Sequence, residues 1–171
     1  MTFSRRVLLG GGLAALAIRA KADTVIEIAM RGSARGERVW FSPQGLAVAS
    51  GTTLRFVNRD PGNSHTSTAY HPALYDRQRR IPAAAAPWDS DFLLPDQAFE
   101  ITLTKPGVYD YYCLPHEMAA MVGRIVVGRP GDPDWEGASP ESEDLMPEVL
   151  AEFPAVETIL SLGRVEPEEA P

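Results

Sequence analysis

One stretch, residues 111–123, concentrates the chemically distinctive side chains of this 171-residue chain. It holds the only cysteine, Cys113, together with one of the three histidines, His116, and a methionine, Met121. The segments on both sides alternate in polarity or carry β-branched and aromatic residues, which predicts strands. A thiolate, an imidazole and a thioether therefore lie on one loop between two strands, and the fold must present that loop.

These donors are those of a type 1 copper site, in which two histidines and a cysteine form a plane and a methionine binds weakly on the axis. The loop supplies three of the four, so the second histidine must be His65 or His71. If residues 64–70 form a strand, both histidines share one face but lie about 20 Å apart along it, so they cannot bind one ion. His65 is favoured because it follows a polar loop after a predicted strand.

The pattern Y-x-Y-Y-C-L-P-H-x-x-x-x-M-V-G-x-I-V-V, which ends at Val127, resembles the copper loop of plastocyanins, pseudoazurins and halocyanin-like proteins, the cupredoxins. The spacing matches that loop, whereas amicyanin has a shorter second gap and azurin a longer first gap. The resemblance covers roughly residues 24–129. It implies an all-β, cupredoxin-type Greek-key β-sandwich and one copper ion, with the ligands His65, Cys113, His116 and Met121.

Some features depart from the family pattern or leave alternatives open. Thr66 stands where plastocyanins commonly have asparagine after the first histidine ligand, so the hydrogen bonds around the thiolate are expected to differ. Residues 72–95, here called the insertion, are longer and richer in proline and alanine than the usual connection. Met118 is an alternative axial ligand, although its gap from His116 is shorter than in the family patterns.

The resemblance also implies a route for electrons. The edge of His116 is the expected port, surrounded by an apolar rim of Leu114, Pro115, Met118 and Pro61. A dry apolar shell around the metal is expected from Leu114, Pro115, Met118, Ala119, Ala120 and Val122. Tyr112, beside Cys113, is either part of a second route or an ordinary strand aromatic. A small apolar rim suits transient docking of donor and acceptor proteins.

Residues 1–22 resemble a twin-arginine signal peptide, which predicts export to the periplasm or beyond. Arg5 and Arg6 precede an apolar run over residues 7–18, and Ala20-Lys21-Ala22 suits cleavage. A membrane-spanning helix needs about 20 apolar residues, so this run is short for one. An uncleaved anchor remains the alternative.

Charge divides the rest of the chain into a predicted domain, residues 23–129, and an acidic extension, residues 130–171. The first has 11 acidic and 11 basic residues, whereas the second has 12 acidic residues and one arginine. An acidic chain disfavours nucleic acid as a partner. The basic run 76–80 is either a solvated loop or a docking patch for an acidic partner or for the chain's own tail.

Local patterns predict the remaining elements. Short alternating segments with turn signals between them favour an antiparallel sandwich; they span residues 25–30, 38–43, 46–48 and 52–58. In the extension, apolar residues recur at near-helical spacing. Pro147 and Pro154 suit first turns and Gly163 suits a stop, which predicts two short amphipathic helices. These helices could pack on the sandwich, bind a partner or remain partly disordered.

Three classes of function fit a copper ligand set of this kind. The first is an exported electron carrier, and the second is a copper-binding or delivery protein. The third is an enzyme, which is disfavoured: three histidines cannot supply the further clusters of a multicopper oxidase. A cysteine hydrolase would use His116 as the base for Cys113, but no third catalytic residue or oxyanion pattern accompanies them.

Overall fold

A computed structural model describes residues 25–167, so the predicted signal segment lies outside the described residues. The strands of this part of the chain are β1 Val25–Gly32, β2 Val39–Ser42, β3 Gly45–Val48, β4 Thr52–Asn58, β5 Thr68–Ala69, β6 Ala98–Leu103, β7 Gly107–Tyr112, β8 Val122–Val127 and β9 Arg164–Val165. The helices are a short 3-10 helix, Leu114–Ala119, and α1 Pro147–Ala151 and α2 Val156–Leu162. None of the helices in residues 25–167 is both long and apolar enough to cross a membrane.

The strands form two sheets, with the orders β2-β1-β4-β6 and β5-β7-β8-β3-β9. The predicted all-β sandwich is thereby confirmed. Most strand pairs are antiparallel as expected, and two are parallel, β1 with β4 and β3 with β8. Alternation along one strand reports which face is buried but not the direction of the neighbouring strand.

The core lies between the sheets, and β4 shows how the sequence builds it. Leu54 and Phe56 are fully buried, whereas Arg55 between them is exposed and pairs with Glu100 across the sheet. Phe56 contacts the ring of Tyr111 on the opposite sheet edge to face, with 5.3 Å between ring centroids. Such aromatic pairs join the two sheets across the core.

Every residue of β7 is buried, because both faces of this strand are covered. Tyr109 and Tyr111 face the core between the sheets. Tyr112 packs instead with Val149 and Phe153 of the extension. The extension thus supplies a second apolar layer on the outer face of this sheet.

The extension contains the two predicted short helices and also adds β9 to the edge of the second sheet. Pro147 occupies the first turn of α1, whereas Pro154 precedes α2 and Gly163 ends it. Val149 and Ile159 are the residues that these helices bury most completely. Of the three fates considered for the helices, packing on the sandwich is the one observed.

Buried ion pairs fix the extension to β7. Asp110 is fully buried and accepts hydrogen bonds from Arg80 and Arg124 at 2.7–3.0 Å. The same guanidinium groups donate to backbone carbonyl oxygens of the extension, those of Ser139, Glu141 and Pro154. Removing one member of such a buried group leaves an uncompensated charge, which is strongly destabilising.

The basic run of the insertion binds the chain's own acidic tail, one of the alternatives considered for it. Arg77 pairs with Asp144, and Arg79 pairs with Glu136. These contacts join the two segments that most distinguish this chain from the family pattern. The expectation that the insertion lacks regular elements is also met, since only isolated bridges occur there.

The predicted strand over residues 64–70 is wrong in extent. Only Thr68 and Ala69 form a strand, β5, while His65 makes an isolated bridge with Leu93. In a longer strand, backbone amides would donate to a neighbouring strand. Here the Ser67 amide donates instead to a side chain, Ser90 Oγ, at 2.8 Å. Much of this segment therefore bonds to residues of the insertion and does not form a regular strand.

Candidate metal centre

Three donors meet at one end of the sandwich. Cys113 Sγ lies 3.5 Å from His65 Nδ1 and 3.4 Å from His116 Nδ1, and all three atoms lie within 4.8 Å of one another. His65 and Cys113 are fully buried, whereas His116 is partly exposed. The structure thus brings together three of the four residues of the predicted ligand set as one cluster.

The loop that carries His65 is organised by Asn58, which is buried at the end of β4. Its Nδ2 donates to the carbonyl oxygens of Asn63 and Leu93 at 2.9 and 2.8 Å, and its Oδ1 accepts from the Asp60 amide at 2.9 Å. These bonds join the loop and the backbone of Leu93 to the end of β4. They also hold His65 opposite Cys113.

Asp60 holds the imidazole of His65 from behind. Its Oδ2 lies 3.0 Å from His65 Nε2, and both side chains are buried. Burial raises the pKa of Asp60, but hydrogen bonds from Asn63 and Gly62 outweigh that effect and the pKa lies below its usual range. An ionised carboxylate on Nε2 directs the proton there and leaves Nδ1 free to face a metal, as in carboxylate–histidine–metal sites.

The surroundings of Cys113 favour the protonated thiol when no metal ion is bound. Burial raises the pKa of Cys113 to about 11, although the Thr66 amide partly opposes that rise by donating to Sγ at 3.3 Å. A bound metal ion deprotonates a coordinating thiol outright. Thr66 makes two contacts here: its amide donates to Sγ of Cys113, and its hydroxyl accepts from the Leu114 amide at 2.8 Å.

His116 and Met121 are connected through the backbone of residues 113–121, here called the metal loop. The Met121 amide donates to the His116 carbonyl at 3.1 Å, and the Cys113 amide donates to the Met121 carbonyl at 3.0 Å. Burial lowers the pKa of His116, and the neighbouring His65 lowers it further, which favours the neutral, metal-binding imidazole. The left-handed conformation of Ala120, φ 58°, closes the turn.

The two candidate axial methionines differ in exposure. Met121 is fully buried in the same apolar cluster as Cys113, whereas Met118 is 72% exposed. His71 lies outside the donor cluster, where its Nδ1 accepts from the Ala73 amide at 3.1 Å. It directly precedes the insertion and lies beyond the end of β5, in an isolated bridge with Leu74.

The expected apolar shell comes mostly from another source. Of the six residues predicted to form it, only Val122 is buried, and the other five are partly or fully exposed. The sandwich core encloses Cys113 and Met121 instead, through aromatic residues such as Phe41, Phe56 and Tyr111. The loop therefore reaches solvent, and the core of the sandwich excludes water from Cys113 and Met121.

Sequence reasoning missed two further groups near the site. Asp60 was seen only as part of a polar loop, and its contact with His65 Nε2 is visible only in the folded chain. Phe92 and Leu94, 55% and 56% exposed, flank Leu93, which pairs with the backbone of His65. Three residues of the predicted rim, Pro61, Pro115 and Met118, are exposed as expected.

Tyr112 is buried rather than presented at the surface. Its ring stacks on Tyr70 with 4.3 Å between centroids, and the extension covers the pair. Of the two interpretations of Tyr112, the packed strand aromatic matches this environment. No face of its ring is open to a partner while the extension is in place.

The donor set fits copper. Thiolate and imidazole are soft or borderline ligands that bind both copper oxidation states, and a buried thiol needs a cation to become a thiolate. The carboxylate of Asp60 points away from the donor cluster toward Nε2, so the cluster itself is not an oxygen-rich site for a hard cation. Geometry and donor chemistry therefore agree with the prediction of one copper ion.

Known proteins support the same class. Residues 28–128 match the family model described as copper binding proteins of the plastocyanin/azurin family. The chain is 33% identical over 113 residues to the chloroplastic plastocyanin of Chlamydomonas reinhardtii, covering 66% of this chain and 72% of that protein. It is 34% identical over 91 residues to the plastocyanin of Prochlorothrix hollandica, covering 51% of this chain and 62% of that protein.

Among solved structures, a pseudoazurin from Sinorhizobium meliloti gives a TM-score of 0.49 at 29% identity, covering 63% of this chain and 76% of that chain. The family model spans more than half of the chain, so the protein belongs to the plastocyanin/azurin family, the cupredoxins. This is a family of copper proteins that transfer electrons, and the fold inferred by resemblance is confirmed.

Proposed function

We propose that this protein is an exported type 1 copper electron carrier that binds its metal through His65, Cys113, His116 and Met121. The observation that carries the proposal is the convergence of Cys113 Sγ with two imidazole Nδ1 atoms in a largely buried cluster, within 4.8 Å. When bound, copper supplies a reversible one-electron couple between Cu(II) and Cu(I). The burial of Met121 and the exposure of Met118 support Met121 as the axial ligand.

The residues around the cluster have separate tasks in this proposal. Asp60 and the Thr66 amide orient His65 and Cys113, and the sandwich core excludes water from the thiolate. His116, partly exposed within the apolar rim, provides the edge through which electrons enter and leave. Redox partners dock there transiently, and the buried Tyr112 offers them no second contact.

The enclosed site disfavours the alternatives. The side chain of Cys113 is 0% exposed, so a substrate carbonyl cannot reach it as a hydrolase would require. Delivery needs a site that exchanges its metal readily, whereas His65 is buried and fixed by a carboxylate. We therefore place the protein outside the enzymes and favour electron transfer over copper delivery.

Location follows from the sequence of residues 1–22. The twin-arginine pattern and cleavage site support export to the periplasm or beyond, with a mature chain that begins at residue 23. In this proposal residues 23–129 are the copper domain and residues 130–171 the extension. The acidic mature chain does not bind nucleic acid, and after cleavage it has no stable membrane insertion.

A visible absorption spectrum with Cu(II), followed by ascorbate, tests the proposal. We expect an intense thiolate-to-copper band that bleaches on reduction. Cys113→Ala should abolish the band, whereas Met118→Ala should leave it in place. A colourless complex, or a band that survives Cys113→Ala, would overturn the ligand assignment.

A further inference from the structure

Arg77 joins the insertion, the metal loop and the extension. Its guanidinium binds both oxygens of Glu117 in the metal loop, at 2.7 and 2.8 Å. Its Nε donates to Asp144 Oδ2 in the extension at 2.8 Å. Asp144 also accepts from the Gln78 amide at 2.9 Å and from Ser142 Oγ at 2.7 Å.

This cluster is shielded from solvent. The side chains of Arg77 and Glu117 are each 15% exposed, and Asp144 is 30% exposed. The Arg77 guanidinium lies 5.1 Å from the ring centroids of both Tyr70 and Tyr112. A two-pronged arginine–carboxylate contact in such surroundings fixes orientation as well as distance.

Glu117 connects this cluster to the metal site. Tyr70 Oη donates to Glu117 Oε1 at 2.7 Å, so this carboxylate accepts three hydrogen bonds. Glu117 directly follows His116, and its carbonyl accepts from the Ala120 amide at 2.8 Å. Fixing Glu117 therefore fixes the turn between His116 and Met121.

We propose that Arg77 is a positioning residue that couples the metal loop to the extension. Through Glu117 it holds the turn that carries His116 and Met121, and through Asp144 it makes the order of that turn depend on the docked extension. The extension then acts as an internal brace for the metal loop. The copper measurements below rest on the proposed function, whereas the hydrogen-exchange measurement does not.

The chain contains a matched control for this contact. Arg79 also joins the insertion to the extension, through Glu136 at 3.1 Å, and both of these side chains are 41% exposed. Neither residue contacts the metal loop in the described hydrogen bonds. Arg79→Gln therefore removes an arginine link between the same two segments without touching the turn after His116.

Amide hydrogen exchange on the metal-free full chain is the first test. In Arg77→Gln we expect the Ala120 and Met121 amides to exchange about tenfold faster, because a charged, partly buried hydrogen-bonding group is lost. Arg79→Gln should leave these two amides unchanged, as should Arg77→Gln for the β8 amides. Equal exchange of the metal-loop amides in the two variants would overturn the proposal.

Copper release is the second test, measured as the rate of transfer of Cu(I) from the loaded full chain to a strong chelator. Arg77→Gln should release copper about tenfold faster than the wild type, and Arg79→Gln at the wild-type rate. Arg77→Lys, which keeps the charge but loses the fork, should lie between them. Faster release in Arg79→Gln equal to that in Arg77→Gln would contradict the proposal.

Asp144→Asn keeps the test decisive if Arg77→Gln does not fold. It weakens only the contact on the extension side, and we expect faster metal-loop exchange than in the wild type with the visible band retained. Unchanged exchange in Asp144→Asn would refute the coupling to the extension. A missing visible band in the wild type would instead refute the proposed function, whatever the exchange rates show.

Discussion

The two histidines of the metal centre are held in opposite ways. His65 is fully buried, and a carboxylate holds its Nε2 at 3.0 Å. His116 is partly exposed, and its turn is held by backbone hydrogen bonds and by its neighbour Glu117, which Arg77 binds. The His65 side of the site is thus buried and held by a carboxylate. The His116 side is partly open to solvent, and its turn is held through Glu117.

This difference separates two demands on an electron carrier. The ligand geometry must change little between oxidation states, which a buried and hydrogen-bonded imidazole serves. A partner must also approach the metal closely, which a partly exposed imidazole in an apolar rim serves. The buried side depends on contacts within the sandwich, such as that of Asp60, whereas the exposed side depends on the metal loop and its contact with Arg77.

Deleting each imidazole is the largest perturbation of the comparison. We expect His65→Gly and His116→Gly both to lose the intense Cu(II) band. Added imidazole should restore it in His116→Gly, because the vacated space opens to solvent, but not in the buried His65→Gly. Absorption spectra with and without imidazole measure this, and equal restoration in both variants would remove the distinction.

Gly32→Ala perturbs only the His65 side of the site, through Asp60. A Cβ at Gly32 would collide with the carboxylate of Asp60. We expect a loss of unfolding free energy of about 1–3 kcal/mol in urea, typical of overpacking. Gly62→Ala is the control, since its Cβ would lie 3.4 Å from Asp60 Oδ1, an ordinary contact, and it should lose much less. Similar losses in the two variants would speak against a tightly held Asp60.

Asp60→Asn removes the charge behind His65 with little change of shape. Copper affinity, measured by competition with a chelator, should fall about tenfold, as for other outer partners of metal-bound histidines. Asp96→Asn is the control, because that side chain is 85% exposed and pairs with Arg59 away from the donor cluster. If the two variants bind copper equally well, the Asp60 contact is not important for binding.

The smallest of the predicted effects is the weakening of the Arg77–Asp144 contact in acid. Burial raises the pKa of Asp144, but bonds from Arg77, Gln78 and Ser142 outweigh it and lower the pKa from 3.8 to about 2. A lowered pKa means that the stabilisation is complete above pH 3.8 and is lost as pH falls towards 2.

The matched variant for this prediction is Asp144→Asn. The wild type should exceed it in unfolding free energy by about 1 kcal/mol at neutral pH, since the contact is partly exposed, and the gap should close in acid. Urea unfolding of both proteins across this pH range measures the gap. A gap that stays constant down to pH 2 would show that Asp144 ionisation is not involved.

The metal loop and most strands could be predicted from the sequence, because both depend on local patterns. The spacing of Cys113, His116 and Met121 matches the copper loop of the family, and alternation in residues 52–58 predicts a half-buried strand. The helices of the extension were also predictable, since Pro147 and Gly163 mark a beginning and an end.

What could not be predicted depends on contacts between distant segments. The parallel pairing of β1 with β4, the carboxylate of Asp60 behind His65 and the packing of Tyr112 under the extension have no local signature. The same holds for Arg77, whose partners lie 40 and 67 residues away. The basic run suggested a contact with the tail, but only the fold shows that this contact reaches the metal loop.

Protein-film voltammetry of the copper-loaded full chain tests the central claim most directly. An electron carrier should give a reversible one-electron wave that persists over repeated cycles, with the copper content unchanged afterwards. An irreversible wave, or copper released on reduction, would contradict electron transfer and favour a protein that stores or delivers copper.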